Sequence, residues 1–142
     1  METPELVMTL TSLVQLELDA RAAYSQAIAA ADDALRPHLV GLRDEHHQRL
    51  TALIQLVRDL GGMPSEPTSD FKGFYSEGFV AAAEVDGPAG ALRALRSNER
   101  LVGERYEAVR RRDLRPWARG LIARACEEEA THRRRLDELA GA

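Results

Sequence analysis

Glu129 and His132 have residue types and a spacing that suit metal coordination. On a helix, residues three apart project from one face, so both side chains can reach the same ion. A carboxylate can bridge two ions while an imidazole binds one of them, and this donor set suits iron or manganese, with zinc also possible. Glu129-x-x-His132 is therefore the most specific metal-binding motif in the sequence.

Three further polar residues occupy positions where the helical pattern calls for an apolar side chain. Glu17 and Glu99 each fall within an apolar stripe at helical spacing, and His46 is in line with the leucines of another stripe. A lone buried carboxylate is costly or becomes protonated, so several at one depth need a positive charge, which a metal ion supplies. We therefore predict a metal centre with these ligands: Glu17, His46, Glu99, Glu129 and His132.

Each of these residues alone also has an interpretation without a metal. A buried glutamate is often paired with an arginine, and a core histidine is often hydrogen-bonded to a neighbouring group. The joint pattern favours coordination over these alternatives. Tyr24 and Tyr106 are interpreted as packing residues, or as tyrosines that hydrogen-bond a ligand carboxylate. The sequence contains no nucleophile–base–acid set and no phosphate-binding loop, so no catalytic residue beyond the metal ligands is predicted.

Helix-start and helix-stop signals divide the chain into four long helices. These helices are expected from Thr3, with Pro4 in the first turn, to Asp32-Asp33; from Asp33 to Gly61-Gly62; from Pro88 onward; and after a cap at Asp113. The crossover between Gly62 and Gly87 is expected to contain a short helix between Phe71 and Ala82. No strand is predicted, because the sequence lacks period-two alternation.

These elements predict an all-α protein, an antiparallel four-helix bundle that forms a single domain over residues 1–142. The first two helices are joined by almost no loop, so they must run antiparallel. Counted from their shared corner, Glu17 and His46 differ in depth by about three residues, or roughly 5 Å. The same count for Glu99 and Glu129 gives about two residues. The predicted ligands are thus expected near mid-helix, at a common level.

Composition excludes several classes of function. The net charge of −4 argues against general nucleic-acid binding, which needs a basic surface. Cys126 is the single cysteine, so an internal disulfide and a thiolate-rich zinc site are excluded. We see no signal peptide and no apolar run long enough to cross a bilayer, so we expect a cytoplasmic protein without a membrane partner. The oligomeric state stays open, with a homo-oligomer as one possibility.

The motifs described above resemble those of a known superfamily. Glu-x6-Tyr, which begins at Glu17 and again at Glu99, and Glu129-x-x-His132 resemble ferritins, bacterioferritins and rubrerythrins, as does the double glycine Gly61-Gly62. The whole chain more closely resembles a branch of uncharacterised bacterial four-helix-bundle domains. That resemblance rests on the stretches Phe71-Lys72-Gly73-Phe74, Glu77-Gly78-Phe79 and Leu95-Arg96-Ser97-Asn98-Glu99. It implies a ferritin-like fold, a site for two metal ions with iron favoured, and oxidation of ferrous iron by oxygen or peroxide.

The second helix departs from this pattern. A full ferritin-like site has a second Glu-x-x-His there, and the distance from Gly61-Gly62 puts His46 and Arg49 at those two positions. Asp44-x-x-His47 fits the motif better by residue type, but helix phase places Asp44 opposite the apolar stripe. We therefore favour His46 as the ligand, with Asp44 and His47 as the alternative.

The departure leaves five ligands in place of six. It is expected either to weaken one metal position or to prevent ferroxidase turnover. The sequence thus supports two main hypotheses, a ferroxidase-type or peroxidase-type oxidoreductase and a non-catalytic metal-binding or stress-associated interaction module. A metal-free helical adaptor is a third, weaker hypothesis.

Overall fold

The computed structural model describes residues 1–64, residue 80 and residues 87–141. Its helices are α1 (Thr3–Ala30), α2 (Arg36–Asp59), α3 (Gly87–Arg110) and α4 (Pro116–Leu139). They confirm the predicted all-α architecture, and no strand occurs within the described ranges. The short helix expected between Phe71 and Ala82 lies outside the described residues, apart from Val80, which is not helical.

The predicted caps differ from the observed helix boundaries by a few residues. The residue before α1 is Glu2, not Thr3, and Arg115, not Asp113, precedes α4. Neither residue makes a side-chain cap. Prolines in the first turns of α1, α2 and α4 define these starts instead, because proline has no N–H to leave unsatisfied and its φ already suits a helix.

The corner between α1 and α2 is held by local hydrogen bonds. Helix α1 ends at Ala30, before the predicted Asp32-Asp33. Asp32 Oδ1 accepts a hydrogen bond from the backbone N–H of Leu35 at 2.8 Å. Arg36 then donates through Nη2 to the carbonyl oxygen of Ala31 at 2.6 Å, which satisfies an acceptor that the end of α1 leaves open. This tight corner makes α1 and α2 antiparallel neighbours.

The four helices surround two apolar clusters. Helix α1 packs against α2 and α3, and α3 packs against α4. One cluster lies around Leu10, Leu50 and Ile122, and the other around Leu39 and Leu136. On α2, α3 and α4 the segments between the two clusters are largely polar, and each contributes two buried polar side chains. None of the described helices combines the length and the apolar character needed to cross a membrane.

The end of α2 requires a residue without a side chain at position 62. A Cβ atom added to Gly62 would lie 2.6 Å from Val7 Cγ1 and 2.9 Å from Val57 Cγ1. We expect Gly62→Ala to lower the free energy of unfolding by about 1–3 kcal/mol, measured by urea denaturation, because overpacking displaces these neighbours. Gly41→Ala, within α2 and with no atom inside 4 Å of its Cβ position, is the control. It should raise stability by up to about 1 kcal/mol, and equal effects of the two variants would contradict this packing.

Candidate metal centre

A layer of charged side chains lies between the two apolar clusters. All of the predicted ligands are buried in it, at 0% exposure for Glu17, His46 and Glu129, 1% for Glu99 and 2% for His132. Arg49 lies with them, at 8% exposure. We call these six residues the charged layer. Asp44 and His47, the alternative pair on α2, are exposed and lie outside it.

His46 lies between carboxylates from two other helices. Its Nδ1 is 2.7 Å from Glu17 Oε2, and its Nε2 is 2.7 Å from Glu99 Oε1 and 3.5 Å from Glu129 Oε1. Burial opposes a charged imidazole, but the negative charges of Glu99 and Glu17 outweigh it and raise the pKa of His46 well above its ordinary value. In the absence of a metal the ring is therefore an imidazolium that donates to Glu17 and Glu99.

His132 has a similar arrangement at the edge of the layer. Its Nε2 is 2.9 Å from Oε2 of Glu45, a half-exposed residue of α2. Its Nδ1 faces inward, 3.3 Å from Glu129 Oε1 and 3.8 Å from Glu99 Oε2. Burial again opposes the charge, but the nearby carboxylates of Glu129 and Glu99 raise the pKa of His132 to about 9.

Both oxygens of Glu17 already have partners. Oε1 accepts hydrogen bonds from Tyr106 Oη at 2.6 Å and from Arg49 Nη1 at 3.0 Å, while Oε2 contacts His46. Burial disfavours the carboxylate, but the charge and hydrogen bond of His46, with the charge of Arg49, lower the pKa of Glu17. Glu17 therefore stays ionised, with fewer free acceptor positions than the other carboxylates of the layer.

The remaining two carboxylates differ in protonation. Burial opposes the charge of Glu99, but nearby His46 holds the pKa of Glu99 well below its ordinary value. Burial and the negative charge of Glu99 raise the pKa of Glu129 to about 7. Two like charges close together cannot both ionise freely unless a cation lies between them.

Arg49 supplies a fixed positive charge that sequence reasoning did not place in the site. Its Nη1 is 2.6 Å from Glu129 Oε1 as well as 3.0 Å from Glu17 Oε1. Its Nη2 contacts Glu128 Oε2 at 3.4 Å, and its guanidinium lies 5.1 Å from the centre of the Tyr106 ring. The sequence allowed two interpretations of Glu17, pairing with an arginine or a place among the candidate ligands. In the structure Glu17 has an arginine partner and also lies among those ligands. The signal was present in the sequence, since Arg49 occupies the histidine position of the missing motif.

The two tyrosines have different roles. The hydroxyl of Tyr106 donates a hydrogen bond to Glu17. The sequence left this role open for either tyrosine, beside a role in packing. Tyr24 packs its ring against His46, with ring centroids 5.3 Å apart. Its buried hydroxyl has no hydrogen-bond partner among the described residues. Burial, with the charge of Glu99, raises the pKa of Tyr24 well above its ordinary value, so the hydroxyl stays neutral.

Four side chains from three helices meet at the centre of the layer with the donor atoms of a metal site. His46, Glu99, Glu129 and His132 each offer a ligand atom, and these atoms all lie within 4.8 Å of one another. Three buried atoms around this point lack a hydrogen-bond partner within the described chain: Glu99 Oε2, Glu129 Oε2 and His132 Nδ1. Unpaired buried polar atoms are costly, and a metal ion that replaced the proton on His132 Nδ1 would give these atoms a partner. Two carboxylates and two imidazoles are donors that iron, manganese and zinc accept.

A surface groove between α2 and α4 gives the layer contact with solvent. It is lined by Glu45, Glu128 and His132, among others. Glu45 contacts the imidazole of His132, and Glu128 contacts the guanidinium of Arg49, with about two fifths of each glutamate exposed. Arg124 also lines the groove, and Arg135 Nη1 lies 3.5 Å from Glu45 Oε2, so the outer edge of the charged layer carries charges of both signs.

Two solved structures have this arrangement of helices. One, from Mycobacterium tuberculosis, is described as a conserved hypothetical protein; it superposes with a TM-score of 0.79 at 16% identity, over 93% of this chain and 94% of that one. The other, from Bacillus anthracis, is described as ferritin-like and diiron-carboxylate, with a TM-score of 0.75 at 19% identity over 99% of each chain. The fold is ferritin-like. Neither protein-family models nor curated proteins give a match to the sequence.

The ferritin-like bundle also shows where this chain departs from the di-metal pattern. Such sites use Glu-x-x-His on each of two helices, with one further glutamate from each of the others. Helix α4 carries Glu129 and His132 at that spacing, and Glu17 and Glu99 come from α1 and α3. On α2 the matching positions hold His46 and Arg49, and both side chains are buried in the layer.

Proposed function

We propose that this ferritin-like protein binds a divalent transition-metal ion in its core, with His46, Glu99, Glu129 and His132 as ligands. The orientation of the two imidazoles carries the proposal. Each presents one ring nitrogen to the centre while a carboxylate outside the ligand set contacts the other, Glu17 for His46 and Glu45 for His132. Metal-binding histidines in proteins nearly always have such a partner, which fixes the ring and makes it a better ligand.

The charge of the layer supports a divalent ion. Its carboxylates belong to Glu17, Glu99 and Glu129. Without a metal, these face the guanidinium of Arg49 and the imidazolium rings of His46 and His132. With all three carboxylates ionised, a divalent ion that displaces one proton from each ring leaves the net charge of the layer unchanged. Metal uptake should therefore release protons.

The resemblance to ferritins favours iron and adds oxidation of ferrous iron, by oxygen or peroxide, to the proposal. Bound iron or manganese supplies one-electron chemistry. The chain itself holds the donors in place: Glu17 orients His46, Tyr106 donates to Glu17, and Arg49 holds Glu129. Oxygen uptake on addition of ferrous iron tests turnover, since fast, saturable uptake supports an oxidoreductase and binding without uptake supports a metal-binding module.

Loss of one imidazole should remove most of the metal affinity. Loss of a group that merely hydrogen-bonds a metal ligand weakens metal binding by up to about 100-fold. Because His132 is itself a proposed ligand, we expect His132→Gln to weaken binding of Mn²⁺ or Zn²⁺ by more than about 100-fold. Isothermal titration calorimetry and metal analysis of anaerobically purified protein measure this. His47→Gln removes an exposed histidine of α2 and should bind like the wild type. Absence of tight binding by the wild type would reject the proposed function.

A metal-free interaction module is the second candidate function. The observation that favours it is the balance of charge that Arg49 and the two imidazolium rings already provide. The two candidates differ in their response to chelators. A bound ion at 100 times its Kd stabilises the folded state by about 2.7 kcal/mol. Removing metal should therefore lower Tm if the centre is a metal site and leave it unchanged if it is not.

A further inference from the structure

The position of Arg49 in the sequence corresponds to that of a metal ligand. Arg49 follows His46 by three residues on α2, as His132 follows Glu129 on α4. In the two-ion pattern this position on α2 carries the histidine of the second Glu-x-x-His and binds the second ion. Here it carries a side chain that has five donors and no lone pair to offer a metal.

The guanidinium occupies the space that a second ion would need. A transition metal lies about 2.0–2.2 Å from a carboxylate oxygen. The two oxygens best placed to receive a second ion, Glu17 Oε1 and Glu129 Oε1, lie 3.0 Å and 2.6 Å from Arg49 Nη1. An ion that bonds to these oxygens on the side where Nη1 lies would therefore collide with this nitrogen.

Neighbouring groups hold the guanidinium there. Glu128 contacts Nη2 at 3.4 Å, and the Tyr106 ring lies 5.1 Å from the guanidinium carbon. The ring belongs to α3 and Glu128 to α4, so Arg49 of α2 is held by two other helices. Displacing it would leave Glu17 without its arginine partner and would move a charge out of a well-paired site.

Charge leads to the same conclusion. When all are ionised, as they would be around a bound metal ion, the buried carboxylates of Glu17, Glu99 and Glu129 carry three negative charges. An arginine does not lose its proton in a protein, so Arg49 and one divalent ion together balance them. A second divalent ion would leave two buried positive charges without a counter-charge in the layer, and uncompensated buried charge is strongly destabilising. The half-exposed Glu45 and Glu128 offset this only weakly, because solvent screens them.

We infer that the centre binds one metal ion per chain and that Arg49 acts as a permanent cation in the place of the second. The inference rests on the proposed function and names how that site is used. Arg49 is thus a positioning residue, which holds Glu17 and Glu129 without contacting the ion. A centre with a single metal ion would bind metal but would lack any chemistry that requires two adjacent metal ions.

The stoichiometry of Mn²⁺ binding to the wild-type protein tests this directly. We expect calorimetry and metal analysis to give one ion per chain, and electron paramagnetic resonance to show the hyperfine pattern of an isolated ion. Two ions per chain with a spin-coupled spectrum would overturn the inference and leave the proposed function standing. No tight binding at all would instead reject the proposed function.

Arg49→His tests whether Arg49 is what excludes the second ion. The variant places a histidine where the two-ion motif has one, so we expect it to bind two Mn²⁺ per chain with a spin-coupled spectrum. Arg58→His, at an exposed arginine of the same helix, should keep one ion. One uncoupled ion in the folded Arg49→His protein would contradict the role of Arg49. The variant is purified in the presence of Mn²⁺, because it lacks the Arg49 ion pairs that stabilise the metal-free protein. If the variant still does not fold, the stoichiometry of the wild type decides the inference.

Discussion

Replacing Arg49 with methionine is expected to lower the free energy of unfolding of the metal-free protein by about 3–5 kcal/mol. Methionine keeps much of the length and apolar area of the side chain but removes the charge. Glu17 and Glu129 would then lose the donor that lies 3.0 Å and 2.6 Å from their Oε1 atoms. Because both residues are fully buried, water cannot replace that donor. Urea denaturation at neutral pH in the presence of a chelator measures the loss.

Two companion variants separate the charge network from general effects of the substitution. Arg58→Met removes an exposed arginine from the same helix and should change stability by less than about 0.5 kcal/mol. Glu17→Gln introduced together with Arg49→Met removes a charge that the single variant leaves unpaired, so the double variant should recover part of the loss. If Arg49→Met costs no more than Arg58→Met, the buried ion pairs do not contribute to stability.

The metal-free protein is expected to be most stable in mildly acidic solution and to lose about 3 kcal/mol between roughly pH 6.5 and 9. The pKa of His132 rises from 6.5 to about 9 on folding, because contacts with Glu129 and Glu99 outweigh burial. A raised pKa means that the folded state holds the proton more tightly. The stabilisation is therefore complete below pH 6.5 and is lost as the pH rises through 9. His46, whose pKa is also raised, acts in the same direction.

The carboxylates set the acidic side of this profile. The pKa values of Glu17 and Glu99 fall below 4.5, so their stabilisation is present above that pH and is lost as the pH falls through their folded values. Glu129 acts in the opposite direction, because its pKa rises to about 7 and its ionisation weakens the folded state above pH 4.5. The maximum is thus expected near pH 4.5, because between pH 4.5 and 6.5 the ionisation of Glu129 already lowers stability while the contribution of His132 stays constant.

Denaturation over a range of pH, with a chelator present, tests this profile. His132→Gln should flatten the alkaline side, whereas His47→Gln, at an exposed histidine, should leave the profile unchanged. Saturating metal should reverse the trend, because proton release makes metal binding tighter as the pH rises. A metal-free wild-type protein whose stability is constant from pH 6.5 to 9 would show that the His132 pKa is not raised as described.

Helical periodicity was sufficient to predict that the five candidate ligands are buried, but it did not single out other buried polar residues such as Asp19 and Asn98. Glu17 and Glu99 each interrupt an apolar stripe, and a residue on that face of a bundle helix must point into the core. The fold followed from the same periodicity and from the short corner between the first two helices. The exact helix starts did not, because favourable cap residues and first-turn prolines lie within a few positions of one another and compete.

The partners of the buried residues could not be predicted in the same way. Periodicity specifies the face of a helix but not which charges on different helices meet. Arg49 was recognised as a departure from the motif, but its contacts with Glu17 and Glu129 depend on the rotation of three helices about their axes. Glu45 was missed entirely, since it is partly exposed and reaches His132 only because α2 and α4 lie close together at that level.

The charged layer has a consequence for how the helices align along the bundle. The leucines and alanines on either side of the layer are all apolar, so a helix displaced along its axis by one turn would still bury an apolar face. The charges do not tolerate such a slide: a displacement of about 5.4 Å would carry Arg49 away from Glu129 and leave both groups buried and unpaired. We therefore expect the layer to select one axial alignment among several that hydrophobic burial alone would accept.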